Sequence, residues 1–304
     1  MIDRLVIIGV GLIGGSLGLA LREAGWVGEI VGVGRSAENL RVAQERGIID
    51  RFVHEPVDAE LERADVVFLA VPPAAIPAVA LAIRPHVGPR TIVTDGGSTK
   101  SSLCEAVCAA YESGNGAAFV PGHPIAGTEQ TGAAAAFSSL YTGKHTILTP
   151  IESTPTWAVE KIQSMWEAVG ARVERMSPAQ HDRVFAGISH LPHAVAFALV
   201  ETVRRLEEES GAPILRYAAG GFSDISRIAS SDPVMWRDIL LENRSAVLET
   251  LSRFESEIAR VRRAIEAGDG EALTSYIGSA KTTRDTVVGA VPDARMVSGR
   301  SRNR

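Results

Sequence analysis

The stretch Leu5-Val6-Ile7-Ile8-Gly9-Val10-Gly11-Leu12-Ile13-Gly14 decides the fold of the first part of the chain. It begins with a continuous apolar run rich in β-branched residues, which is typical of a buried strand in a parallel sheet. Gly9, Gly11 and Gly14 follow with G-x-G-x-x-G spacing, and apolar residues at helical spacing continue from Ser16 to Ala24. A glycine loop between a strand and a helix is the context in which this motif binds a dinucleotide. The sequence therefore predicts a Rossmann-like domain.

Each glycine of this loop has a predicted role. Gly9 allows the tight turn, Gly11 lets the backbone approach a pyrophosphate, and Gly14 lets the helix pack closely on the strand. The helix start offers N–H groups and the positive end of its dipole to phosphates. We therefore also assign Leu12 and Ile13 to the cofactor site. The alternative is a glycine-rich turn without a ligand.

The second predicted strand, from Glu29 to Val33, bears on the choice of cofactor. An NAD-binding unit usually places an acid near the end of this strand, about 20 residues after the glycines. Here Gly34 stands at that place and is followed by Arg35 and Ser36. No carboxylate repels a 2′-phosphate there, and a guanidinium can bind one. The pattern favours NADP over NAD and assigns Arg35 and Ser36 to the cofactor site. The alternative is a solvated Arg35 and NAD bound without an acidic anchor.

Further strand-like runs complete a second βαβ half. The clearest is 64–71, which the prolines at 72 and 73 end. We assign Val71 and Pro72, at the end of this strand, to the cofactor site. Runs at 144–150 and 170–176 extend the first domain, which is predicted to span 1–176.

Two polar segments follow predicted strands. Ser98, in the segment 95–101, could contact a substrate hydroxyl or cap the next helix. Lys100 is expected to be a surface or packing residue rather than a catalytic amine. Glycines and prolines around His123 predict a loop, and a histidine there can pass a proton near neutral pH. The alternative is an ordinary loop histidine at a turn.

From residue 177 the pattern becomes helical, and a second domain is predicted over 177–290. Ser177 and Asp232 are expected to cap helices that have proline in their first turn. His190 and His193 open a long apolar helix, where a hydrogen-bonded structural role is the alternative to a functional one. Arg227 lies in a mostly uncharged stretch, where an unpaired guanidinium would be costly. An anionic ligand, Asp224 or a helix C-terminus could supply its partner.

The composition narrows the classes of protein to which this chain can belong. The 304 residues, 45% hydrophobic and 22% charged, indicate a globular chain that can bury a large core. The net charge of −5 gives no support for nucleic-acid binding. Cys104 and Cys108 are expected to be buried thiols, and no metal-ligand set is evident. No apolar run reaches the ~18 residues of a spanning helix and the start lacks a signal-peptide pattern, so we expect no membrane contact and a cytoplasmic location. The tail 291–304 is arginine-rich, and we expect it to be disordered.

Five motifs together resemble the prephenate/arogenate dehydrogenase family of tyrosine biosynthesis, over most of residues 4 to 285. The motifs are Val10-Gly11-Leu12-Ile13-Gly14-Gly15-Ser16, Asp95-Gly96-Gly97-Ser98-Thr99-Lys100, Gly122-His123-Pro124-Ile125-Ala126-Gly127-Thr128-Glu129, Ser189-His190-Leu191-Pro192-His193 and Ser226-Arg227-Ile228-Ala229-Ser230-Ser231-Asp232-Pro233-Val234-Met235-Trp236-Arg237-Asp238. The resemblance implies a Rossmann-like domain followed by a helical domain that forms most of a homodimer interface. The chain resembles the short form, with no fused chorismate mutase stretch before residue 4 and little room for a regulatory domain after 290.

The resemblance also implies roles. His123 would hydrogen-bond and polarise the C4 hydroxyl of prephenate or arogenate, with Ser98 beside it. Arg227 would bind a substrate carboxylate, and His193 would be a second substrate contact. The remaining residues implied for the substrate site are His190, which would support it, Thr128 and Glu129, which would border its entrance, and Trp236, which would close it.

Other hypotheses stay open at this point. An arogenate dehydrogenase would share this site but have a different side-chain pocket. A β-hydroxyacid or imine reductase would want a catalytic lysine or aspartate on the helical domain rather than His123. A nucleotide-sensing module without turnover would bind the cofactor but not depend on His123.

Overall fold

Strands and helices alternate in the first part of the chain, and helices follow. The structure is a computed structural model that describes residues 1–56, 58–112, 116–128 and 130–290. The strands are β1 (Ile2–Ile8), β2 (Val27–Val33), β3 (Arg51–Val53), β4 (Val66–Leu69), β5 (Ile92–Asp95), β6 (Ala118–Val120), β7 (Gly122–Pro124), β8 (His145–Leu148) and β9 (Arg172–Arg175). The helices are α1 (Leu12–Glu23), α2 (Ala37–Glu45), α3 (Asp58–Leu61), α4 (Ile76–Ile83), α5 (Ser101–Glu112), α6 (Thr156–Ala168), α7 (Pro178–Phe185), α8 (Leu191–Ser210), α9 (Gly220–Ser226), α10 (Pro233–Glu242), α11 (Arg244–Ala267) and α12 (Gly270–Ala290). The predictions for Glu129 and for the tail 291–304 lie outside the described residues.

The strands β1 to β6 form one parallel sheet in the order β3-β2-β1-β4-β5-β6. This is the strand order of the doubly wound dinucleotide-binding fold. The order reverses between β1 and β4, and ligands of such sheets bind outside the carboxyl ends of the strands at this point. The glycine loop follows β1, and Val71 and Pro72 follow β4. The predicted Rossmann-like domain is confirmed.

Both faces of this sheet are covered. Leu5 and Ile7 of β1 pack into one apolar cluster, and Val6 and Ile8 pack into another. Successive side chains of a strand point to opposite faces, so burial on both faces requires apolar residues at every position. The unbroken run that opens the glycine motif is explained in this way.

His123 lies on a strand, so the prediction of a loop there is wrong. The strand β7 pairs antiparallel with β8, with His123 opposite Ile147, and β8 pairs parallel with β9 in a second sheet. Proline is tolerated because β7 is an edge strand, where a missing N–H leaves no ladder bond unmade. The glycines and prolines that suggested a loop are therefore compatible with a short edge strand.

The helical part begins as its local signals predicted. The Ser177 Oγ accepts a hydrogen bond from Gln180 N at 3.2 Å, and Asp232 Oδ1 accepts one from Met235 N at 2.7 Å. A single π-turn, Ala186–His190, joins α7 to α8. Such turns are rare and often lie at functional sites. Here it carries His190.

Internal contacts divide the chain into two units, residues 1–248 and 249–304. In the second unit, no described residue with an assigned exposure, up to Val287, is buried. In the first unit, the helical stretch Pro178–Ser210 could cross a membrane by length and composition, with a mean hydropathy of 1.4 over its most apolar 18 residues, of which 22% are buried. The expectation of no membrane contact and the domain boundary at 176 remain predictions.

Candidate active site

Two of the three loop glycines are required by packing. Gly9 has φ +97°, and a Cβ built on it would lie 2.4 Å from the Ala70 carbonyl oxygen, just after β4. A Cβ on Gly14 would lie 2.4 Å from the Gly9 oxygen. Nothing lies within 4 Å of a Cβ on Gly11. The space beside Gly11 is therefore open to a ligand, as its predicted role requires.

The start of α1 is suited to bind phosphate. The cap residue Gly11 supplies no side-chain hydrogen bond, and the first turn holds no acidic residue. The first N–H groups of a helix, here those of Leu12 and Ile13, have no partner within the helix. The glycine loop packs against the residues that follow β4, where Val71 is half-buried and Pro72 exposed. These features fit the pyrophosphate of a dinucleotide.

Arg35 and Ser36 follow β2 at the same edge of the sheet. Both are exposed. Ser36 Oγ accepts a hydrogen bond from Asn39 N at 3.2 Å and so caps α2. In the described part of the chain, Arg35 has neither a hydrogen bond nor an ion pair. Its guanidinium is available to a ligand at the end of β2.

The segment after β5 holds a buried ion pair, so of the two predicted environments for Lys100, surface or packing, the structure shows the buried one. Lys100 and Asp95 are both fully buried, and Lys100 Nζ donates to Asp95 Oδ2. Lys100 Nζ also donates to the Gly122 carbonyl oxygen at 2.8 Å, and Gly122 N donates to Asp95 Oδ1 at 3.0 Å. The pair thus holds both backbone groups of the residue that precedes His123. It fixes the strand that carries the histidine.

A chain of hydrogen bonds runs from His123 through His181 to Asp182. The distance from His123 Nδ1 to His181 Nε2 is 2.8 Å, and that from His181 Nδ1 to Asp182 Oδ1 is also 2.8 Å. Asp182 in turn accepts from Lys100 N at 2.9 Å and from Ser101 N at 2.8 Å. It therefore caps α5 from α7. The alternative prediction, that Ser98 caps this helix, is wrong.

These contacts assign the proton positions. An ionised Asp182 only accepts, so His181 carries its proton on Nδ1 and accepts on Nε2. His123 must then donate from Nδ1, which leaves its Nε2 as an unprotonated acceptor. A neutral histidine in this tautomer can take a proton from a hydroxyl group.

The pKa values agree with this assignment. Burial raises the pKa of Asp182, but hydrogen bonds from His181, Ser101 and Lys100 outweigh it and leave that pKa below the ordinary value. Burial lowers the pKa of His181, although Asp182 opposes the effect. Burial also lowers the pKa of His123 well below the usual value, and the neighbouring His181 and Lys100 lower it further. His123 is therefore neutral at physiological pH.

His190 is held in the opposite tautomer to His123, with its proton on Nε2. It is 1% exposed, and its Nδ1 lies 3.1 Å from Asn243 Nδ2, which also donates to the Asp182 carbonyl oxygen at 2.8 Å. An amide NH₂ only donates, so His190 accepts on Nδ1 and carries its proton on Nε2. Burial lowers the pKa of His190 to about 4. His190 is therefore a neutral donor.

His193 and Trp236 form a stacked pair, with ring centroids 3.6 Å apart and an interplanar angle of 20°. His193 Nδ1 lies 2.9 Å from the Ser189 carbonyl oxygen, and Trp236 Nε1 is buried without a partner among the described residues. Burial lowers the pKa of His193, and the charge of Arg227 lowers it further. Arg227 is therefore close to this pair. It is exposed, so burial does not by itself require a partner for its guanidinium, and its predicted role stays a prediction.

The remaining predicted residues are placed less closely. Ser98 is half-buried in the segment that contacts α1, where a Cβ on Gly96 would lie 3.3 Å from Ile13 Cγ2. Thr128 is exposed, and its hydroxyl accepts from Gln130 N at 3.2 Å. Among the described residues, no hydrogen bond joins Thr128 to the histidines, and Glu129 lies outside the described residues.

Sequence reasoning missed His181, Asp182 and Asn243. A weak signal existed, because His181-Asp182 directly follows the capped start of α7 and a His-Asp neighbour pair is a common proton-relay element. Asn243 gave no signal. It stands just after α10, far in sequence from both of its partners.

Comparisons with known proteins were made against this geometry. The family described as "Prephenate dehydrogenase, nucleotide-binding domain" matches residues 17–175, and "Prephenate dehydrogenase, dimerization domain" matches residues 177–279. A prephenate dehydrogenase of Bacillus subtilis is 37% identical over 96% of this chain and 79% of its own length. A cyclohexadienyl dehydrogenase of Zymomonas mobilis is 36% identical over 92% of this chain and 94% of its own length. The structure of a prephenate dehydrogenase from A. aeolicus, in complex with hydroxyphenyl propionate and NAD+, is 37% identical, covers 94% of this chain and 99% of that chain, and has a TM-score of 0.87.

Proposed function

The chain belongs to the prephenate dehydrogenase family and is an NAD(P)-dependent oxidoreductase, and from this premise we propose that it oxidises and decarboxylates prephenate to 4-hydroxyphenylpyruvate in tyrosine biosynthesis. One observation carries the proposal. The His181–Asp182 pair leaves His123 neutral, with an unprotonated Nε2, beside the segment that contacts the glycine-loop helix. When hydride leaves the carbon that carries a hydroxyl group, the hydroxyl must lose its proton, and in this proposal His123 Nε2 accepts it.

The proposed reaction divides between substrate and protein. A bound nicotinamide accepts the hydride that leaves C4 of the substrate. His123 Nε2 takes the hydroxyl proton, the ring carboxylate leaves as CO₂, and the electrons of the broken C–C bond complete the aromatic ring. The ring oxygen recovers a proton to become the phenol. Aromatisation supplies much of the driving force, so the protein must chiefly orient C4 and hold the proton acceptor.

The other predicted residues surround this step in the proposal. Arg227 binds a substrate carboxylate with its planar fork, and the His193–Trp236 stack forms an apolar wall beside it. His190 donates from Nε2 toward the substrate side. Ser98 orients the hydroxyl beside His123. Thr128 and Glu129 border the entrance, as the resemblance implies.

We propose NADP as the cofactor because Arg35 is exposed at the end of β2 and no carboxylate follows that strand. The specific observation for NAD is the A. aeolicus structure, which holds NAD+ at 37% identity to this chain. For the substrate, the second candidate is arogenate. The name of the Z. mobilis relative gives its substrate class as cyclohexadienyl, a class that includes both compounds.

We also propose a cytoplasmic homodimer, formed through the helical part of the chain. Ile258, Ile265 and Ile277 of the second unit are each more than half exposed, and a two-helix hairpin that buries nothing is not stable alone. A second copy would cover these residues. Light scattering after size exclusion tests this, since a monomer at micromolar concentration would contradict it.

The experiment that tests the activity crosses prephenate and arogenate with NAD and NADP and follows the reduced nicotinamide by absorbance. We expect turnover with prephenate, faster with NADP than with NAD. Faster turnover of arogenate or with NAD would correct the substrate or the cofactor alone. No turnover of any pair, by folded protein that still binds a nucleotide, would overturn the proposed function.

A further inference from the structure

One side chain outside the predicted site joins the glycine loop to the chain that follows His123. Asn39, near the start of α2, donates from Nδ2 to the Val10 carbonyl oxygen at 2.7 Å. Its Oδ1 accepts from Ala133 N at 2.8 Å. Val10 stands between Gly9 and Gly11. Asn39 therefore fixes the backbone of the nucleotide loop and a residue 94 positions further along the chain.

The residue at the far end of that bond belongs to a segment that we call the brace, residues 132–141. Arg46, which ends α2, donates to the carbonyl oxygens of Ala133, Ala134 and Ala136, the last two at 2.8 Å. The first turns of α1 hold the rest of the brace. Ser16 Oγ accepts from Phe137 N at 3.0 Å, and the Tyr141 hydroxyl donates to the Ile13 carbonyl oxygen at 2.6 Å. Both helices that flank the nucleotide loop thus hold the brace.

The brace is also connected along the chain to the strand that carries His123. Residues 126–131, which include Thr128, connect it directly to β7 and His123. At the other end of this connection, β7 is held by Asp95 and Lys100. A displacement of Val10 by a ligand would therefore reach the brace through Asn39, and the brace is joined along the chain to the strand that carries His123. The side-chain amide uses its oxygen and one N–H within the protein, so Asn39 acts through its neighbours.

We propose that Asn39 is a positioning residue that couples nucleotide binding at the glycine loop, through the brace, to substrate binding beside His123. The identity of the second ligand in this coupling rests on the proposed function. The effect of Asn39 on nucleotide affinity does not depend on that function. When the nucleotide fixes the loop, Asn39 holds the brace in one arrangement. The two ligands then strengthen each other's binding by the same factor.

A purely structural role would give a different result. Loss of an ordinary side-chain hydrogen bond lowers folding stability and leaves ligand linkage unchanged. Gln44 provides the matched control on the same helix. Its side-chain amide donates to the Asp50 carbonyl oxygen at 2.8 Å, and that bond touches neither the glycine loop nor the brace.

The experiment measures the Kd of the full-length protein for NAD and NADP by calorimetry, with and without saturating 4-hydroxyphenylpropionate. In the wild type we expect this compound to tighten the preferred nucleotide roughly fivefold or more. Asn39→Leu keeps the side-chain size and removes both bonds. In this variant the ratio of the nucleotide Kd without the compound to that with the compound should fall to about one. The nucleotide Kd measured without the compound should rise about fivefold. Gln44→Ala should match the wild type in both.

Arg46→Met gives a second variant that leaves Val10 untouched. It should reduce the ratio while the nucleotide Kd without the compound stays at the wild-type value. Wild-type ratios in Asn39→Leu and Arg46→Met, or no linkage in the wild type, would overturn the proposal. If the compound does not bind at all, the proposed function has failed instead. In that case a nucleotide Kd of Asn39→Leu equal to that of Gln44→Ala would still overturn the role of Asn39.

Discussion

The proposed nucleotide loop and His123, the proposed proton acceptor, are built in opposite ways. Ten contiguous residues from Leu5 to Gly14 carry the signal for the first, and in the proposal the loop acts through backbone N–H groups and the space beside Gly11. His123 depends on His181, 58 positions away, and Asp182 holds the start of α5 across 82 positions. A site built from backbone groups can be recognised in the sequence as a short run of glycines. A site built from side chains that are far apart in the sequence gives almost no recognisable pattern.

Removing His123 gives the strongest test of this contrast. His123→Asn should lower kcat by 10²- to 10⁴-fold, the usual value of a positioned proton acceptor, while the nucleotide Kd stays at the wild-type value. Steady-state rates and calorimetry measure the two. His145→Asn, on the neighbouring strand β8, is the control, since the side chain of this exposed histidine pairs with Glu174 and with none of the catalytic candidates in the described part of the chain. A kcat close to that of the control would remove His123 from the mechanism.

Asp182→Asn tests the relay without changing its shape. The new amide would donate to His181 Nδ1, so His181 would carry its proton on Nε2 and donate to His123. His123 Nε2 would then be protonated and unable to accept. We expect kcat to fall about 10²-fold with no recovery at higher pH. Asp238→Asn is the control, because Asp238 is also buried and pairs with Arg237. Equal kcat in both variants would refute the tautomer argument.

The parts of the site that were predicted correctly depend on local signals. Ser36, Ser177 and Asp232 cap the helices that directly follow them, and the N-cap pattern spans three residues. The Rossmann-like domain followed from alternating strands and helices, since parallel strands with crossovers allow few arrangements.

The errors and the open choice for Lys100 share one physical cause, which is that a distant partner decides the local state. β7 is a strand because β8 pairs with it, over 20 residues later. Lys100 is buried because Asp95 and the Gly122 carbonyl receive its charge. Ser98 does not cap α5 because Asp182 does. β8 lies over 20 residues after β7, and Asp182 lies 82 residues after Lys100, so no local window of sequence contains both members of these pairs. Asp95 is only five residues before Lys100, but the Gly122 carbonyl that also receives the charge of Lys100 is 22 residues away.

Acid should weaken the histidine side of the site more than the nucleotide side. The unfolded chain protonates His190 near pH 6.5, whereas the pKa of the folded residue is lowered by burial to about 4. The unfolding free energy should therefore fall as pH drops through this window, by about 2 kcal/mol between pH 6.5 and 4.5. His123 and His181 act in the same direction. Urea titrations at the two pH values measure the slope, and His190→Asn should flatten it. An unchanged slope in that variant would contradict the assignment.

On the nucleotide side, two glycines should respond differently to the same methyl group. Gly11→Ala meets open space, so the fold should persist while the nucleotide Kd rises about tenfold, because the added carbon would stand where the pyrophosphate approaches. Gly9→Ala would place a carbon against the Ala70 oxygen at a positive φ, and it should lower the melting temperature. Calorimetry and thermal denaturation separate the two. Normal nucleotide affinity in Gly11→Ala would show that the loop does not approach the ligand there.

The smallest effect belongs to Arg35, which carries its chemistry on an exposed side chain at the end of β2. An exposed ion pair contributes roughly 1 kcal/mol, so Arg35→Ala should raise the Kd for NADP about fivefold and leave that for NAD unchanged. Arg41→Ala removes the same charge from an exposed position within α2 and so controls for the long-range field. The selective loss should shrink as salt is added, because an exposed charge is screened. Equal losses for NADP and NAD would mean that Arg35 does not recognise a 2′-phosphate. The choice of cofactor, like the contacts of His123, would then depend on residues that a contiguous sequence motif does not reveal.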